Sequence, residues 1–386
     1  MKIAIITLFD NGNYGSELQS LALSRYLSSK GNNVTLCHIK APGKFVRLLE
    51  VLTDRIVLKF NTAFSKEKKQ YFADCINNVS KQRFISPELK QYVHSFVSKH
   101  VISKRISRWN FPNKQFDAYV CGSDQIWSAL KLPVSPYRFL HRVNPDKKIA
   151  YAPSIGLDSL PLYYIKQTKK YISDFKYLSV RESLAKQALK EHMDLDAIQV
   201  LDPTMLVGTE MWDDLLDKEG KKGPNHEYVF CYFLGEMYDD TISCINEIAE
   251  GREVLILPYK EDSQKVLNGK YELADPLDFV NLIKNAKYVL TDSFHGSVFS
   301  VLYNKQFVVT KRSHVGRVSQ TSRITSLLSK FGFEAQYCQH TEEMLDALRT
   351  PINYNSKTQI LHDEQNISRE FLNNALMEIN IDIKNE

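Results

Sequence analysis

The 386-residue chain has little that ties it to a membrane, a disulfide scaffold or a nucleic acid. No run approaches the ~20 apolar residues that a membrane-spanning helix needs. The opening "MKIAIITLF" is strand-like and no small-residue cleavage site follows, so it reads as a first core strand and not as a secretion signal. The six cysteines, Cys37, Cys75, Cys121, Cys231, Cys244 and Cys338, lie far apart and make no CxxC pair. Several stand in apolar runs such as "YVCGSD" and "YVFCYF". The expectation is buried free thiols in a reducing compartment, with no disulfide framework and no metal site. Net charge is only +5. That suits an anionic substrate or lipid surface and is too small to argue for nucleic acid. Low-complexity tracts are absent, as are internal repeats beyond a βα alternation.

What is present is an ordinary globular composition, 43% hydrophobic and 25% charged. The length exceeds what one core usually serves, so two domains are expected. "KIAIITLF", a helical period over 16–29, a stop at Gly31 and "NVTLCHI" make a βαβ unit, which implies a parallel sheet. Residues 41–110 are rich in Lys, Arg, Phe and Ser and lack strong strand signals. They read as an insertion of helices and loops. "FDAYVCGSDQIW", "KIAYAPSIG", "KYLSVRESLAKQAL" and "IQVLDPTML" complete a first half over 1–200. A second half over 201–360 alternates "EYVFCYFLG", "REVLILPY", "KYVLTDS" and "QFVVTKR" with helices. A helical tail over 361–386 is expected to pack back on the first half. Two doubly wound halves imply a cleft with ligands at the carboxyl ends of the strands.

Four of those strand ends carry candidate chemistry. In "FDNGNYGSELQ", Gly12 and Gly15 allow tight turns, and the loop opens on a helix N-terminus that favours an anion or an oxygen-rich ligand. No GxGxxG or GK[ST] string occurs there. Asn13 and Tyr14 are unusual in a mere turn. In "CGSDQIW", Asp124 can take a hydrogen bond from a sugar hydroxyl and Trp127 can stack on a ring, although spacing alone favours a helix cap at Ser123 or Asp124 and a core tryptophan. In "SVRES", Arg181 can meet an anion, or form a plain ion pair with Glu182. In "TDSFHGSVF", His295 stands at a strand-to-helix turn beside Asp292, between apolar walls. Such a histidine suits proton transfer near neutral pH, and Gly296 allows close backbone approach. Lys311, Arg312, Arg317 and Arg323 follow the next strand. They read either as a solvated face or as the surround of a highly charged anion.

The order "NYGSELQSLAL", "FDAYVCGSDQIW", "YAPSIG", "SVRES", "LDPTMLV", "TDSFHGSVFSVLYNKQFVV" and "SRITSLLSKFGFE" resembles the polysaccharide pyruvyl transferase family. No single string is diagnostic; seven in order over residues 13–333 are specific for the family, though not for a substrate. Residues 41–110 add nothing to the match.

The resemblance implies an α/β fold of two Rossmann-like domains facing a cleft, similar to the GT-B glycosyltransferases. It implies transfer of a pyruvyl group from phosphoenolpyruvate to two hydroxyls of a sugar, giving a ketal and phosphate. The sugar would belong to a surface polysaccharide or its lipid-linked precursor. No metal or other cofactor is implied. His295 would be the general acid/base or a phosphate ligand, oriented by Asp292. Ser293, Gly296, Lys311, Arg312, Arg317, Arg181 and Arg323 would meet the donor. Asn13, Tyr14, Gly15, Asp124 and Gln125 would meet the acceptor. The family pattern has an arginine two positions before the histidine, in an R-L-H-G string. Here Ser293 stands there, so one donor anchor is either missing or supplied from elsewhere, with Arg312 the candidate. The expected location is the cytoplasm. The cationic and apolar segment 44–60 reads first as a helix packed on the sheet with its lysines in water, and second as an interfacial helix in peripheral contact with the inner face of the cell membrane. Two other readings of the same residues are a nucleotide-sugar glycosyltransferase and a non-catalytic glycan-binding homologue.

Overall fold

A computed structural model describes residues 1–9, 12–39, 70, 73, 86–94, 96–107, 110–130, 134–157, 160–312 and 321–385. The chain forms two sheets. The first holds β1 (Lys2–Ile6), β2 (Asn33–Ile39), β3 (Ser103–Ile106), β4 (Ala118–Cys121), β5 (Lys148–Ala150), β6 (Tyr177–Val180) and β7 (Ile198–Gln199), in the order β3-β2-β1-β4-β5-β6-β7. The second holds β8 (Tyr228–Tyr232), β9 (Glu253–Leu257), β10 (Gly269–Tyr271), β11 (Tyr288–Thr291), β12 (Gln306–Thr310) and β13 (Tyr337–Cys338), in the order β10-β9-β8-β11-β12-β13. All their pairings are parallel. Both orders follow the doubly wound Rossmann arrangement. Strand order reverses between β1 and β4 in one sheet and between β8 and β11 in the other. A crevice opens at each reversal, at the carboxyl ends of the strands.

The sequence produces this because the central strands are apolar throughout. "AYVC" and "YVFCY" are buried along their whole length, as strands covered by helices on both faces must be. The edges differ. β3, "SKRI", lies inside the segment expected to lack strands. Only its last residue is buried, and its charged side chains suit an edge that must not recruit a foreign strand. Helices Pro87–His94 and Phe96–His100 precede it. The segment 44–60, weighed above as a packed or an interfacial helix, and Arg317 lie outside the described residues. No helix among the described residues is long and apolar enough to cross a membrane.

One apolar cluster joins the two halves. It takes Leu18 and Leu21 from the helix Tyr14–Ser29, and Leu277 and Phe279 from the helix Pro276–Asn285. Tyr14 is the pin between them. Its ring stacks on Phe279 at 5.1 Å and 6°, and its hydroxyl donates to the Ala274 carbonyl at 2.9 Å. The final helix, Asn355–Asn385, runs back along the first half. Ser368 Oγ accepts from the Leu201 amide at 2.9 Å, and Tyr26 donates to Asn373 at 3.2 Å.

Candidate active site

The loops after β1, β4, β6, β7, β11 and β12 converge where the two halves meet. The helix Phe294–Leu302 starts directly after β11, with Ser293 as its N-cap. His295 is therefore in the first turn, and it is buried. Its ring lies against Gly15 of the other half. A Cβ built on Gly15 would stand 1.9 Å from His295 Nδ1. Gly15 is thus needed for close approach; it sits inside a helix and makes no turn. Gly12, with φ of 79°, is the residue in that loop that uses glycine's freedom.

The carboxylate facing His295 belongs to Asp202, in "LDPT" after β7. Its Oδ2 lies 3.7 Å from His295 Nε2, and the Asp202 side chain is fully buried. Asp202 Oδ1 caps the short helix Pro203–Leu206, accepting from the Thr204 amide at 3.0 Å and its hydroxyl at 2.7 Å. Burial alone would raise this carboxyl. The His295 ring, Arg181 and the Thr204 amide outweigh burial and hold it well below the usual carboxylate range.

Asp292, expected to orient His295, points elsewhere. Its two oxygens accept from the Leu234 and Gly235 amides, each at 2.7 Å, across the strand-order reversal of the second sheet. Arg312 Nε donates to the same carboxylate at 3.2 Å, and Arg312 Nη2 donates to the Asp292 carbonyl at 2.9 Å. Asp292 therefore fixes the loop after β8 and Arg312, not the imidazole.

Arg181 is committed to the chain's own acids. Its Nη1 donates to Asp202 at 2.7 Å and its Nε to Glu182 at 3.2 Å, while Nη2 is 3.8 Å from Asp124. Its guanidinium carbon sits 4.1 Å from the centroid of the Phe294 ring. Burial works against this charge, but Glu182, Asp202 and Asp124 overcome it and raise the Arg181 pKa. The donor-binding role expected of Arg181 conflicts with this, because two of its nitrogens already hold buried carboxylates. Asp124 accepts from Ser16 Oγ at 2.8 Å. Burial pushes its carboxyl up, and Arg181, His295 and Arg323 together bring it below the ordinary value.

Arg323 opens the helix Ser322–Phe331 and is buried. Burial, then the charges of Arg181 and Arg312, push its pKa down to about 10. A recess beside it is lined by Asp292, Thr310, Arg312, Thr321 and Tyr337. Two guanidiniums and a helix N-terminus thus line one small recess together with the Asp292 carboxylate that Arg312 holds.

Other expected site residues are placed differently. Tyr14 is 1% exposed and its hydroxyl is taken, so it cannot meet an acceptor as expected. Asn13 Oδ1 accepts from the Gly15 and Ser16 amides as a helix cap. Ser293 Oγ accepts from the Gly296 amide. A Cβ on Gly296 would stand 2.5 Å from Thr291 Oγ1, so this glycine lets the helix start press on β11 and is not an approach path for the donor. Gln125 lies over Gly156. Lys311 is exposed at the end of β12. Trp127 is core, stacked on Phe139 at 5.5 Å, with its indole donating to the Arg138 carbonyl.

UDP-N-acetylglucosamine 2-epimerase from Rickettsia bellii superposes with a TM-score of 0.51 at 10% identity, over 98% of this chain and 97% of that one. That likeness is one of fold. UDP-GlcNAc 2-epimerase from Neisseria meningitidis gives 0.45 at 11% identity, over 96% and 99%. A UDP-glucosyltransferase from Polygonum tinctorium gives 0.43 at 10%, over 95% and 93%. No curated protein matches the sequence. Residues 13–314 match the family profile described as polysaccharide pyruvyl transferase. They run from the Asn13 cap through Asp202 and His295 to just past Arg312, most of the chain, which therefore belongs to the polysaccharide pyruvyl transferase family and is a transferase.

Proposed function

We propose that the protein moves a pyruvyl group from phosphoenolpyruvate to two hydroxyls of one sugar, in a surface polysaccharide or its lipid-linked precursor. The observation that carries this reading is the Arg312 and Arg323 pair at one recess, whose lining also includes Asp292, three residues before His295 on the neighbouring strand-to-helix connection. Phosphoenolpyruvate is small and bears a carboxylate and a phosphate close together. It calls for two cations and a helix N-terminus within a short distance. Family membership supports the same reading.

In this scheme the donor's methylene carbon takes a proton, leaving an oxocarbenium-like centre at the neighbouring carbon. One sugar hydroxyl adds there, the C–O bond to phosphate breaks, and the second hydroxyl closes the ketal. Of the two hydroxyl protons, one ends on the new methyl group and one leaves with phosphate. His295 is the group proposed to carry a proton between the hydroxyl and the donor. The scheme calls for no cofactor, since phosphoenolpyruvate is already activated.

Removing the charge of Arg312 with Arg312→Met is expected to lower kcat/KM for phosphoenolpyruvate by about 10- to 100-fold, the worth of a hydrogen bond to a charged group. Steady-state phosphate release at varied donor concentration checks this. An unchanged value would remove Arg312 from the donor site. Gly15→Ala is expected to push the His295 ring aside and cost about 100-fold in kcat, measured in the same assay. Near wild-type turnover would mean the Gly15 contact is irrelevant to the reaction. Thermal melting provides the test against a nucleotide-sugar donor: phosphoenolpyruvate should raise the melting temperature. Stabilisation by a nucleotide sugar and not by phosphoenolpyruvate would contradict the reading.

A further inference from the structure

We infer that Asp202 is the positioning residue for His295, holding the ring in the form that carries hydrogen on Nε2. The inference rests on the proposed role of His295 and goes beyond it by assigning the partner and the atom.

Three observations carry it. Asp202 Oδ2, 3.7 Å away, is the carboxylate oxygen paired with His295 Nε2, and that nitrogen is buried with no hydrogen-bond partner among the described residues. A bare, proton-free Nε2 in that place would set a lone pair against a carboxylate. A protonated one meets an anion, so the carboxylate selects the ring form with hydrogen on Nε2. The second observation is that Asp202 cannot swing away. Its Oδ1 is tied to Thr204 and its Oδ2 takes Arg181 at 2.7 Å and Ser123 Oγ at 3.4 Å. The third is the wall on the opposite side. Gly15 leaves room for the ring and nothing more, with Nδ1 the nearest ring atom to its missing Cβ. The ring is therefore clasped between a fixed anion and a glycine backbone.

Arg181 completes the device. By holding Asp202, Glu182 and Asp124 together, it lets Asp202 stay ionised while buried. Asp202 acts on the reaction only through the imidazole.

The test compares Asp202→Asn, His295→Ala and the double variant in phosphate release, with circular dichroism melting as the control for folding. Asp202→Asn should lower kcat by about 100-fold and leave KM for phosphoenolpyruvate within about threefold. In the double variant kcat should be no lower than in His295→Ala alone, because the second loss acts through a ring already gone. Losses that multiply, or a near wild-type kcat in Asp202→Asn, overturn the inference. His295→Ala at the wild-type rate would instead overturn the functional reading itself. Long-range proton–nitrogen spectra of histidine-labelled wild-type protein decide the geometry even if Asp202→Asn fails to fold. The ring signals missing from His295→Ala should show hydrogen on Nε2. Hydrogen on Nδ1 alone contradicts the placement.

Discussion

Replacing His295 with alanine is expected to lower kcat for phosphate release from phosphoenolpyruvate by about 100- to 10,000-fold. The magnitude follows from what the ring is asked to do. Protonating the donor's methylene carbon is the costly step, and water is a poor acid for it at neutral pH. The ring is buried, so it meets its reactants without a hydration shell to strip. The position also explains why no neighbour can replace it. Among the described residues around it, Asp202 and Arg181 are paired with each other, and Asp292 holds two backbone amides. Folding should be weakened too, because alanine leaves a void beside Gly15 and takes a partner from the buried Asp202 carboxylate. Loss of activity measured well below the variant's own melting temperature is therefore the expected result. A rate within threefold of wild type, about 0.7 kcal/mol in the barrier, would remove His295 from the chemistry.

Arg181→Met should have the largest effect on stability. The guanidinium is the counter-charge of three buried carboxylates, Asp124, Glu182 and Asp202. Breaking a buried pair by deleting one partner costs about 3–5 kcal/mol, because the other charge is left uncompensated. Urea unfolding followed by circular dichroism measures this as a fall in midpoint. A change below about 1 kcal/mol, the range of an exposed pair, would mean that the cluster is far wetter than its geometry indicates. The pH dependence carries a sign. The folded-state pKa values of Asp124 and Asp202 are both depressed. Their contribution is complete above the unfolded carboxylate value, near pH 4, and is lost as pH falls through the depressed folded values. The wild type should keep this contribution from pH 7 down to about 5 and lose it below about 4. Without Arg181 the trend should weaken or reverse, since protonating the stranded carboxylates then relieves them.

The fold was legible in the sequence wherever burial dictated it. Long apolar strands such as "YVFCY" announce a covered parallel sheet, and their alternation with helices implies the doubly wound order. The short edge strands were not legible. β3, β10 and β13 have two to four residues each, and an edge needs no apolar pattern, only a neighbour to pair with. The histidine was legible because a polar knot between apolar walls is unusual. Its partner was not. Asp292 is near in sequence, but as the last residue before the helix cap it turns back toward β8. Asp202 comes from the end of another sheet, and in the sequence it looks like a plain helix cap before Pro203. Gly15 posed the same problem: its need for a missing side chain arises from a ring nearly three hundred residues later. Tyr14 was misjudged for a related reason. A tyrosine in a loop suggests a sugar contact, whereas here the two halves close on it and bury it.

The Ser293 departure also has a structural counterpart. Ser293 caps the helix, and Arg312 reaches in from β12 to the carbonyl of Asp292, the residue immediately before it. A guanidinium thus stands beside the strand end that Ser293 follows. It arrives from the neighbouring strand.

The central claim is that a phosphoenolpyruvate site at Arg312 and Arg323 serves a histidine at the junction of the halves. Mass spectrometry of candidate glycans, incubated with the protein and phosphoenolpyruvate, tests it most directly. The account predicts a mass increment of one carboxyethylidene group on an acceptor sugar, with matching release of phosphate, and neither product with His295→Ala. An increment that survives in His295→Ala, or glycan modified only when a nucleotide sugar is supplied, would contradict it.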